Sequence, residues 1–162
     1  MTLIEVTGQN LDFFTDGCRL IGEGTFSFRS VNTEPVRLDE FEQRAGQWIA
    51  AYRRLGYLLG QASRPLGYRL TLTDRSTYEE ARVKAEELIK QWELGDVPAD
   101  RLVAAAEKHL AVLVLYVDVE GISGAACRLA DLDTILINRR ECVGRRNFDL
   151  AHELFHLLTW DR

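Results

Sequence analysis

The stretch DLAHELFHLL, residues 149–158, constrains this chain more than any other. Leu150, Leu154, Leu157 and Leu158, joined by Ala151 and Phe155, make a helix that is apolar on nearly every side, so it belongs in an interior. The same helix carries His152, Glu153 and His156, and polar groups in such a setting are costly unless something satisfies them. Residues four apart share one helix face about 6 Å apart along the axis, which lets both imidazoles converge on a single metal ion. Neutral imidazole is a good zinc ligand near neutral pH. Glu153 points to the adjacent flank, where a carboxylate can take a proton from a metal-activated water and later deliver it to a leaving amine.

With three histidines and fourteen glutamates in 162 residues, an accidental His-Glu-x-x-His is expected on the order of once in two hundred such chains. The bland alternative is a buried helix whose histidines bond to backbone carbonyls. The helix is predicted to begin near Asn147, with Asn147 or Asp149 as its cap or dipole partner.

The rest of the composition narrows the setting. A chain of 162 residues with 46% hydrophobic content is long enough for one compact domain with a real core, with room for a smaller helical appendage. No run of 18 apolar residues occurs, and the opening MTLIEVTGQN lacks the basic start and apolar stretch of an export signal, so neither a membrane span nor secretion is expected and the cytoplasm is the default. The net charge of -5 provides no diffuse positive field, which argues against direct contact with nucleic acid. Arg139, Arg140, Arg145 and Arg146 in RRECVGRR read as a solvated loop, with an anion or acidic strip as the sharper alternative. Cys18, Cys127 and Cys142 are odd in number and lack C-x-x-C spacing; they read as reduced thiols, and Cys142 as a small filler rather than a metal ligand.

Along the chain, residues 1–75 read as an N-terminal arm followed by an amphipathic helix. In the arm, pieces such as LDFF and FSF are interrupted by Gly17, Gly22, Gly24 and Pro35. From Arg37 to about Gln61, Leu38, Phe41, Ala45, Trp48, Ile49, Tyr52, Leu55 and Leu59 fall at helical spacing, with a possible break near Gly56; their aromatic stripe reads as core. YRLTLTD alternates as a short half-buried strand would, and an extended connection fits equally.

Residues 76–162 form the second unit. Ser76 with Glu79 fits a capping box, Gly95 a helix stop, and Pro98 a first helical position for PADRLVAAAEKHLA. His109, near the end of that helix, reads as a cation at a helix C-terminus in preference to a catalytic group. VLVLYVD from Val112 is a buried-strand run, and AACRLA and TILIN flank Asp131-Leu132-Asp133 as a hairpin. The fold class expected is α+β: helices and a small, mostly antiparallel sheet packed on the buried motif helix.

TILINRR followed by RRNFDLAHELFHLL resembles the ImmA/IrrE family of zinc-peptidase-like proteins. Asn138, Arg146, Phe148, Ala151, His152, Glu153, Leu154 and His156 match its pattern of an apolar strand ending in Asn, an Arg-rich turn and a Phe-x-x-Ala-His-Glu-Leu-x-His helix. The resemblance covers about Val112 to Leu158, extends more loosely back to Ser76, and includes FFTDG and IGEGTFSFRS, which look like the connector of members that carry a helix-turn-helix module. It implies a zincin-like fold and a cytoplasmic zinc-dependent endopeptidase that acts on a transcriptional repressor in stress or mobile-element regulation. In it His152 and His156 are zinc ligands and Glu153 is the general base.

Two departures accompany the match. Phe155 stands where relatives usually have glycine, and the family's third ligand, a glutamate on a later helix, has no counterpart in these 162 residues. Asp161 lies about 180° around a continuous helix from His152 and points away. The chain is therefore expected to be the N-terminal part of such a peptidase and inactive alone, with substrate strand addition at AACRLA or its neighbour. The alternative is a non-catalytic regulatory or protein-interaction module that retains the peptidase fold.

Overall fold

The computed structural model describes residues 20, 24–30, 35–61, 63, 64, 66–73 and 75–159. The readings placed on LDFF, FFTDG, Cys18 and Asp161 lie outside the described residues. The elements run β1 (Thr25–Ser30), α1 (Pro35–Leu58), α2 (Tyr78–Gln91), a 3-10 turn (Pro98–Asp100), α3 (Leu102–Ala105) continuing as a π-helical segment (Ala106–Leu110), β2 (Leu113–Val117), β3 (Ile122–Arg128), β4 (Asp133–Asn138) and α4 (Val143–Thr159). The architecture is α+β, as expected. No helix among the described residues is long and apolar enough to cross a membrane.

The sheet is mixed, in the order β1-β3-β4-β2. β3 pairs antiparallel with both β1 and β4, whereas β2 runs parallel to β4. The predicted hairpin is β3–β4, closed between Arg128 and Asp133 with Leu129 N–H donating to the Leu132 carbonyl at 3.0 Å. FSF, assigned to the arm, forms part of the outer strand β1: Phe26 and Phe28 stack at 5.7 Å and pack on the core beneath α1. VLVLYVD is less buried than its apolar content suggests, because β2 is the other outer strand and leaves Tyr116 exposed.

Both sheet faces are covered. On one face Ala126, Ile135 and Ile137 join Leu150, Leu154, Leu157 and Leu158 of α4, together with Leu88, Trp92, Ala106 and Leu110. On the other, Ala125, Cys127 and Leu136 join Phe41, Ala45 and Ile49 of α1. Burial on both faces explains why TILI is continuously apolar instead of alternating. Each fully buried leucine or isoleucine here contributes about 1.5–3 kcal/mol.

Four local readings are refined. α1 passes through Gly56 unbroken and ends at Leu58; glycine is required there because a Cβ would sit 2.8 Å from the Gln61 carbonyl oxygen of the chain folding back. Its core stripe is Phe41, Ala45 and Ile49, while Trp48, Tyr52, Leu55 and Leu59 stay at the surface. Of the two readings of YRLTLTD, residues 68–73 take the extended connection; Leu70 and Leu72 are buried, and the Leu70 N–H donates to the Leu158 carbonyl at 2.9 Å. The capping box of α2 is Thr77 with Glu80, one residue later than Ser76 with Glu79. The sequence STYEE satisfies both registers, and Ser76 is diverted because its Oγ accepts from the Thr73 N–H at 2.9 Å.

The helix predicted over PADRLVAAAEKHLA is a 3-10 turn and a helix that relaxes into π geometry before Ala111 turns left-handed at φ 56°. His109 lies in that last segment and stacks on Trp92 with ring centroids 5.6 Å apart. The cap assignment gives a direct test: Thr77→Ala should cost about 1 kcal/mol in denaturant unfolding, and Ser76→Ala distinctly less.

Candidate metal centre

α4 starts at Val143, four residues before the predicted Asn147, with the Arg146 N–H closing its first turn on the Cys142 carbonyl at 3.0 Å. Asn147 and Asp149 are therefore interior helical positions and not caps. Asp149 is fully buried and accepts from Arg145 Nε at 3.0 Å, one turn back.

Positions 124, 126 and 128 of β3 face α4 in the same order as the helix advances. Gly124 lies under Asp149 and Glu153, Ala126 sits in the apolar middle, and Arg128 reaches the helix end. Arg128 Nη2 donates to the Leu157 carbonyl at 2.6 Å, and its Nε donates to Asp133 Oδ1 at 3.0 Å. Asp133 Oδ2 in turn accepts from the Leu66 N–H at 3.3 Å. These bonds fix the rotation of α4 about its own axis.

With that rotation set, His152 and His156 emerge at the half-buried margin of the helix. Their Nε2 atoms face each other at 3.0 Å, with ring centroids 4.6 Å apart and planes at 82°. The Phe148 ring stacks on His152 at 6.3 Å, and the Arg145 guanidinium lies 5.9 Å from the Phe148 ring. Two imidazole nitrogens on one tetrahedral zinc at about 2.05 Å lie about 3.3 Å apart. The pair needs to open by only a few tenths of an ångström to fit such an ion. Among the described residues, no group of three His, Cys, Asp or Glu side chains is placed to hold a metal.

Glu153 faces inward: it is 0% exposed, and a Cβ added to Gly124 would lie 3.2 Å from both its Cγ and Oε1. Gly124 thus makes room for the carboxylate, a role that the sequence did not single out. Phe155 is exposed. Cys142 is also exposed and stands ten residues before His152, about 15 Å along the helix, so it does not join the pair.

The Arg-rich segment is not a free positive patch. Arg139 pairs with Asp118 at 3.1 Å, Arg140 with Asp118 and Glu120 at 3.7 and 3.4 Å, and the Arg146 guanidinium lies over the Tyr116 ring at 5.8 Å.

Cys127 is a buried free thiol. Burial, then the charges of Asp133 and Glu42, pushes its pKa up to about 12. Because the thiolate is the reactive form, iodoacetamide at about pH 8 should label Cys142 in the native protein and leave Cys127 unlabelled until unfolding, as read by peptide mass mapping. The same shift has a sign for stability: the folded state holds the proton more tightly, so this contribution is complete below the unfolded value near 9 and is lost as pH rises towards 12. Gly124→Ala, which forces a methyl group against Glu153, should destabilise the fold by about 1–3 kcal/mol in denaturant unfolding.

Compared with known protein families, with curated proteins and with solved structures, this chain matches none.

Proposed function

We propose that this chain carries the metal-binding helix of a zinc-dependent endopeptidase of the ImmA/IrrE type, with a zincin-like arrangement of α4 against the sheet. In this reading it acts in the cytoplasm on a transcriptional repressor, with a helix-turn-helix protein as the natural candidate. The observation that carries it is the facing pair of Nε2 atoms on His152 and His156, 3.0 Å apart on a helix whose rotation is locked by β3. His152 and His156 would hold the zinc, and the third protein donor comes from outside the described residues. When bound, the ion supplies Lewis-acid polarisation of a carbonyl and lowers the pKa of water.

Glu153, next to His152 in sequence and seated against Gly124, is the proton carrier in this reading. AACRLA is enclosed by β1 and β4 and cannot accept another strand, so strand addition falls to its neighbour β1. Gly124 pairs with Arg29 of β1, which puts an extended peptide on the outer edge of β1 one strand away from Glu153.

A second reading is favoured by the complete burial of Glu153 and the lack of a third donor among the described residues. It is a non-catalytic regulatory module that retains the peptidase fold and binds a protein partner. Zinc titration by calorimetry separates the metal question from the enzyme question. Uptake at a single site is expected, and His152→Ala or His156→Ala should weaken it by more than the roughly tenfold loss typical of removing an outer-sphere partner. Uptake indifferent to both substitutions would overturn the metal site. Glu153→Gln should abolish zinc-dependent repressor cleavage in the protein extended past residue 162 if the first reading holds, and leave the biological output intact if the second does.

A further inference from the structure

On the other exposed flank of α4, away from the histidines, the fold leaves a hollow of about 240 Å³ between α2, the Pro98–Asp100 turn and α4. Its floor consists of buried core side chains, among them Leu88, Trp92, Leu154 and Leu158. Asn147 is the single polar side chain in its lining, and no charged group lines it, although 28% of the chain is charged. Alanines at 81, 85, 99 and 151 keep the space open where larger apolar residues would close it.

The wall is also braced. Trp92 is held from behind by the ring of His109, stacked at 5.6 Å with planes 3° apart, and His109 sits in the π-helical segment. Such a departure from α geometry is a frequent companion of functional sites. An open apolar concavity with few polar groups gives water little to bond to, and apolar pockets of this kind take small apolar molecules.

We propose that this hollow is a binding pocket for a small uncharged aromatic or branched-aliphatic molecule. The choice of occupant follows from the walls. A charged ligand would lose its hydration and find no counter-charge, and at interior packing density the space holds about 180 Å³ of ligand atoms, the scale of one or two fused rings. Ala151 and Phe155 of the lining directly precede His152 and His156. A ligand seated there packs against the same turns of α4 that carry the histidine pair. The pocket does not depend on whether that pair holds zinc.

The probe is indole, with phenylacetate as its charged counterpart, titrated into the whole chain and followed by saturation-transfer NMR and by amide shifts. Saturable indole binding is expected, with shifts centred on Leu88, Trp92, Leu102 and Leu154 and with phenylacetate at least about tenfold weaker. Ala81→Leu and Ala99→Leu fill the space from two sides, and each should weaken indole by about tenfold while the thermal unfolding curve is unchanged or moved upward. Absence of saturable indole binding would overturn the proposal. So would shifts mapping elsewhere, or affinity untouched in whichever of the two variants remains folded.

Discussion

The fit of α4 against a strand of small residues organises everything else in this molecule. β3 presents Gly124 and Ala126 to the helix and Ala125 and Cys127 to α1, so two helical layers approach one strand closely from opposite sides. A larger residue at 124 would press on Glu153 and Asp149 and lift α4 from the strand. The polar end of the same strand, Arg128 with Asp133, supplies direction: its bonds reach the last turn of α4 and the connection that enters α2. Apolar packing sets how near the helix comes, and the ion pair sets which way it faces.

Charge is arranged to leave that helix face undisturbed. The arginines after β4, conspicuous in a chain of net charge -5, are met by Asp118 and Glu120 at the turn between β2 and β3. These are exposed pairs, each contributing at most about 1 kcal/mol; their effect is to remove an attractive patch for polyanions. Arg145 is different, because its partner Asp149 is fully buried and lies on the same helix stripe as the histidines. It extends an ordered polar strip along a helix that is otherwise apolar.

Much of this arrangement was legible in the sequence because it rests on local periodicity. The His152–His156 spacing, the apolar faces of α4 and the hairpin around Asp131-Leu132-Asp133 each need only a few neighbouring residues to specify them. What escaped depends on distant partners. TFSFRS does not declare itself a strand until β3 offers an edge, and YRLTLT alternates like a strand but has no ladder to join, its Leu70 amide going instead to the Leu158 carbonyl. In STYEE two capping registers compete, and a hydroxyl contact with Thr73 decides between them. Gly124 looks unremarkable until the helix above it is in place, and the inward seat of Glu153 follows from that placement rather than from the motif.

The end of α4 is held from outside the helix: the carbonyls of Leu157 and Leu158, which a terminus ordinarily leaves to solvent or a cap, are taken by Arg128 and by the backbone of Leu70. These bonds add to the apolar packing that holds α4 along its length. His156 sits immediately beside that held end and His152 one turn further out, so any tilt carries the two rings along as a unit and leaves their separation nearly constant. The spacing of the two nitrogens is thus a property of the helix itself, and the bonds at its end set only where that helix lies on the sheet.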